Sequence, residues 1–167
     1  MSYAASQFDA NNSHFHKSFV EHCADEMFHE KLAESDLNGL GFKPSDFTEY
    51  SYTSALYRSM YYMIGHQNPI SILGYALVLE GLCATRVADS MPEFQKKYSK
   101  KSTNFLRVHC EVDVGHQKEV KKTLERCNTV QLEYIEKAAL FCGDIYTSML
   151  QKILQENKGK NRHKNVG

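Results

Sequence analysis

Apolar positions recur along this chain at steps of three and four, the period of amphipathic helices, and nowhere with the two-residue alternation of a strand. Phe15, Phe19, His22, Glu26, His29 and Ala33 follow the capping cluster Asn11-Asn12-Ser13 and predict a helix over residues 14–35, closed by Gly39 and Gly41. A loop at residues 42–46 leads to a second helix over 47–65, whose Tyr50, Ser54, Tyr57, Tyr61 and Ile64 share one face. Asn68-Pro69 is a third helix start, with Asn as the cap and Pro in the first turn, where no amide proton is needed. The run 70–84 behind it is apolar almost throughout and calls for burial on nearly every side. Ser90-Met91-Pro92 reads as a break, followed by a short helical piece over 94–98; Ser102 or Thr103 is then expected to cap a long helix ending near Cys127. A last helix from Thr129 to about Gln155 would turn Val130, Tyr134, Ala138, Phe141, Ile145 and Met149 inward. The expectation is an all-α bundle of about five main helices, one domain over residues 1–156, with a disordered basic tail over 157–167.

Charge and cysteine usage narrow the class. Lysine plus arginine and aspartate plus glutamate number 20 each, so no global field draws the chain to nucleic acid or to an acidic membrane surface. The basic link Lys96, Lys97, Lys100, Lys101 reads as a solvated turn. Five cysteines with no C-x-x-C spacing fit reduced thiols in a cytoplasmic protein. The first residues lack the basic and apolar regions of a signal peptide, and no stretch reads as the roughly 18 apolar residues of a membrane span.

The chemistry concentrates in three places. His109, Asp113 and His116 return to one direction on a helix, so two imidazoles and a carboxylate form a stripe suited to a first-row metal ion. A solvated Asp113–His116 pair with a hydrogen-bonded His109 would have the same spacing. Glu80 is the single charged residue of the apolar run, where an unpaired carboxylate costs roughly several kcal/mol or takes up a proton; Arg86 points elsewhere on the helix, so Glu80 reads as a ligand of a divalent metal, with a protonated or hydrogen-bonded core acid as the other reading. Glu26 and His29 make an E-x-x-H pair, the unit by which di-iron bundles take a carboxylate and an imidazole from one helix. His14, His16 and His22 are read as surface or capping histidines. Tyr57 and Tyr61 read either as core rings with hydroxyls at the edge or as catalytic phenols beside the site. Glu26, His29, Glu80, His109, Asp113 and His116 together supply three carboxylates and three imidazoles, enough for a pair of iron ions with positions left open.

These residues resemble the heme-oxygenase-like diiron oxidases, also called the iron-containing redox enzyme family and grouped with TenA-like and PqqC-like folds. The hallmark H-x-x-x-D-x-x-H is matched by His109, Asp113 and His116. Glu80 matches a glutamate in an apolar helix about thirty residues upstream, and His29, running into Glu30-Lys-Leu-Ala-Glu-Ser-Asp-Leu-Asn-Gly-Leu-Gly-Phe42, matches the earlier ligand histidine. The likeness spans about residues 20 to 150. It implies a heme-oxygenase-like bundle holding two Fe ions per chain, which activate dioxygen to oxidise a small organic substrate. Family members usually carry further helices ahead of this point, so the resemblance is to a shortened form, for which a homodimer is expected to complete the bundle. The spacing from the first glutamate to its histidine varies in the family, and Glu26 is preferred over Glu21 or Asp25. Two other readings stay open: a metal-free TenA-like hydrolase or binding protein relying on a buried cysteine such as Cys83 or Cys110, and a truncated helical interaction module.

Overall fold

A computed structural model describes residues 1–164, with side chains described through residue 156. The described residues contain no strand. A short turn α1 (Ser2–Ala5) precedes α2 (Ser13–Asp25), α3 (His29–Gly39), α4 (Ser51–His66), α5 (Ile72–Leu82), α6 (Ala88–Lys97), α7 (Asn104–Leu124) and α8 (Thr129–Lys164). The expected all-α architecture is thus present, with α2 and α3 as the two halves of one broken rod and α5 and α6 as the halves of another.

Helix α5 is the centre of the bundle, packed on α8 and α7. Ile70, Ile72, Leu73 and Ala76 are buried with Phe15 and Phe19 of α2, Ile64 of α4, Val120 of α7 and Ile135 of α8. Gly74 makes the α5–α8 approach possible, since a Cβ there would overlap the Ile135 carbonyl oxygen and meet the Ala139 amide nitrogen at 2.6 Å. Together Pro69–Lys97 are long and apolar enough to cross a membrane by length and composition, which the sequence reading did not expect; a third of the apolar window is buried in the bundle.

Several boundaries differ from expectation, each for a local reason. The helix read over 14–35 breaks at residues 26–28, where Phe28 adopts a left-handed φ of 70° with no glycine or proline to announce it. Such a conformation costs a non-glycine residue about 1–2 kcal/mol. Ser90-Met91-Pro92 does not end the rod: a π-helical turn at Cys83–Val87 joins α5 to α6, and Pro92 lies inside α6 beside the buried Met91. Asn68 caps as expected, its Oδ1 accepting from the Ile70 amide at 3.1 Å. In α8 Ala138 is buried and Tyr134, Phe141 and Ile145 pack against the core as expected, Ile135 and Cys142 are buried beside them, and Val130 is exposed. The α8 backbone continues as helix to Lys164 where a disordered tail was expected, and residues 165–167 of that tail lie outside the described residues.

Candidate metal centre

Three segments converge on one point. The last turn of α2 brings His22 and Glu26, the first residue of α3 is His29, α5 brings Glu80, and α7 brings His109, Asp113 and His116. The break at Phe28 turns the chain so that Glu26 and His29 face each other, and His29 Nδ1 donates to Glu26 Oε2 at 2.8 Å. The same Oε2 lies 3.5 Å from His109 Nε2, while the other oxygen, Oε1, lies 3.3 Å from His116 Nδ1. One carboxylate therefore faces imidazoles on two sides.

Donor atoms of Glu26, His29 and His109 lie within 4.8 Å of one another, as do those of Glu26, Asp113 and His116, and those of His22, Glu80 and His116. All six residues singled out in the sequence are brought to this centre. His22 joins them, against the expectation of a surface or capping role. Its side chain is 14% exposed, and Nε2 stands 3.2 Å from Glu80 Oε1. The signal was its place one turn before Glu26 on the same stripe; what the sequence lacked was the long-range partner.

The electrostatics show a site built around negative charge. Asp113 is 1% exposed, and its Oδ2, like Glu80 Oε2, is buried without a hydrogen-bond partner. Among the described residues every ion pair made by Glu26, Glu80 and Asp113 is with an imidazole. Burial pushes the Asp113 carboxyl above its ordinary range; His109 opposes this and the Glu80 charge adds to it. Burial also acts to raise Glu26, but hydrogen bonds from His109 and His29 outweigh it and hold that carboxyl down at about 2. His109 is raised, chiefly by its hydrogen bond to Glu26. His22 is raised too, because the Glu80 hydrogen bond and charge overcome the opposing burial.

Two supports orient α7. Asp36 of α3, a buried carboxylate, accepts from the Phe105 amide at 2.7 Å, the helix cap that Ser102 or Thr103 was expected to supply. The Phe105 carbonyl in turn accepts from His109 Nδ1 at 2.9 Å, which turns Nε2 toward Glu26 and the centre.

A cavity of about 540 Å³ opens on the carboxylates and is walled by Ile72, Tyr75, Leu79, Phe105 and Tyr146. Tyr57 and Tyr61 do not line it. They are 39% and 60% exposed and line a neighbouring, smaller cavity, because α4 buries Leu56 and Met60 and, of the tyrosine face, only Ile64. The phenols at the centre are Tyr75 and Tyr146, both raised chiefly by burial. The Cys83 thiol is pushed up to about 11, chiefly by burial with the Asp113 charge adding to it, and Cys110 is raised for similar reasons. Neither is disposed to act as the thiolate nucleophile of a hydrolase.

The donor set fits metal ions. Ligands at about 2.1 Å from one ion stand roughly 3.0–3.4 Å apart at right-angle to tetrahedral geometry. The His22–Glu80 separation of 3.2 Å and the Glu26–His116 separation of 3.3 Å are edges of that length. Coordination to a cation would satisfy the orphaned oxygens of Glu80 and Asp113. A family model described as iron-containing redox enzyme matches residues 13–142. No curated protein and no solved structure matches the chain.

Proposed function

The chain belongs to the iron-containing redox enzyme family, with an all-α heme-oxygenase-like bundle, and from this we propose that it is a non-heme diiron oxidase or oxygenase using dioxygen on a small organic substrate. The observation that carries the pairing of ions is Glu26, whose two oxygens address different imidazoles, the arrangement of a bridging carboxylate. Glu26, His29 and His109 would hold one ion; Glu80, Asp113 and His116 would hold the other, with Glu26 shared. A pair of ferrous ions supplies the electrons for reducing dioxygen.

The chain's own residues do the remaining work. The bond from His109 Nδ1 to the Phe105 carbonyl holds the ring with Nε2 toward the centre, so the ring needs no reorientation when metal enters. Ile72, Leu79 and Phe105 offer an apolar wall of the cavity to the substrate. Tyr75 and Tyr146, held protonated by burial, line the same cavity. The raised Cys83 thiol remains protonated and does not compete as a soft ligand.

The test is dioxygen consumption by protein loaded anaerobically with Fe(II). The reading expects uptake that scales with bound iron and is lost in Glu26→Ala. Equal uptake by the variant, or none by a wild-type chain carrying stoichiometric iron, would refute it.

A further inference from the structure

The geometry points to His22 as a seventh protein donor, a ligand of the ion held by Glu80 and His116. This rests on the reading of a two-ion centre given above. It adds a residue outside the H-x-x-x-D-x-x-H stripe, outside the E-x-x-H pair, and outside the glutamate of the apolar helix.

Position carries the argument first. His22 and Glu26 are one turn apart at the end of α2, so they project along the same face, and the amide of Glu26 still bonds to the His22 carbonyl at 3.1 Å. A side chain aimed at the site by Glu26's helix therefore arrives from the same wall, one turn deeper. Convergence is the second observation. His22 Nε2 stands 3.2 Å from Glu80 Oε1, and the His22 and His116 rings lie 4.5 Å apart, centroid to centroid. Donors from α2, α5 and α7 thus meet within 4.8 Å without any help from Glu26. Third, the other oxygen of Glu80 is buried with no partner, so a hydrogen bond from His22 alone leaves that carboxylate half satisfied. A cation between His22, Glu80 and His116 satisfies it.

The consequence is an even partition of imidazoles. His29 and His109 serve one ion and His22 and His116 the other, with Glu26 between them. Without His22 the second ion has a single imidazole.

The experiment titrates metal-free full-length protein with Co(II) under anaerobic conditions, following stoichiometry by equilibrium dialysis and coordination by visible ligand-field bands. Wild type is expected to bind two ions per chain. His22→Ala is expected to keep one with unchanged affinity and to bind the other at least tenfold more weakly, with altered bands, and added imidazole is expected to restore both. Two ions bound by His22→Ala with wild-type affinity and superimposable bands would overturn the assignment and leave His22 a hydrogen-bond partner of Glu80. A wild type that binds fewer than two ions would overturn the two-ion reading itself, and this proposal with it. Should the alanine variant not fold, as read by circular dichroism, His22→Gln is judged by the same two readings.

Discussion

Replacing Asp113 by asparagine should stabilise the metal-free protein and at the same time abolish its stabilisation by metal. Asp113 is 1% exposed, and its Oδ2 has no hydrogen-bond partner. Its carboxyl is raised by burial and by the Glu80 charge, against the opposing pull of His109 and His116. An acid whose pKa is raised by folding has its charged form penalised in the fold, so at neutral pH the ionised Asp113 subtracts from stability. That penalty vanishes below the unfolded-state value, where both states are protonated. Asparagine keeps a polar atom at that place but removes its buried charge, which is worth on the order of 1–3 kcal/mol. At about 3 °C per kcal/mol for a domain of this size, the metal-free variant should melt roughly 3–9 °C higher. The wild type should gain about 4 kcal/mol from each ion present at a thousand times its dissociation constant, and the variant little. The order of stability should therefore invert between chelator and anaerobic Fe(II), as followed by thermal circular dichroism. A metal-free variant that melts below the wild type, or a wild type indifferent to Fe(II), would refute the reasoning.

Asp36→Ala removes the cap on α7 and should cost about 1–2 kcal/mol, with metal affinity falling roughly 10- to 100-fold as His109 loses its anchored carbonyl. Asp36→Asn, which keeps an acceptor, should recover most of both in parallel denaturant melts and metal titrations. Metal affinity should rise with pH across the histidine range, because His22 and His109, both raised, must give up protons before they can ligate. Isothermal titration at several pH values should show proton release on binding, and a pH-independent affinity would contradict it. In metal-free protein the Glu26 contribution, whose carboxyl falls from an ordinary 4.5 to about 2, is present above the upper value and lost as pH drops through the lower. Glu26→Gln should accordingly flatten the acid limb of an unfolding curve.

Much of the centre was legible in the residues because its signals are local. Three donors at i, i+4 and i+7 on α7 need nothing but helical periodicity, and Glu80 announces itself as a lone charge in an apolar run. His22 was on the same stripe as Glu26 and yet went unassigned, since its role depends on Glu80, a contact between residues far apart in the chain. Tyrosines surround α4, so periodicity could not choose between its faces, and packing of Leu56 and Met60 on α8 places Tyr57 and Tyr61 on a neighbouring cavity. The turn at Phe28 carries no glycine or proline, and Pro92 sits inside a rod held by its buried flank. In both places tertiary contacts outweigh local preference, which a reading of propensities does not contain. The cap of α7 was sought in the adjacent Ser102 and Thr103 and is supplied from α3, 69 residues away.

The most direct measurement is iron-edge anomalous diffraction from crystals of the Fe(II)-loaded chain. Two peaks are predicted, one among Glu26, His29 and His109 and one among His22, Glu80 and His116. A single peak, or none at these side chains, would contradict a centre that shares Glu26 between two ions.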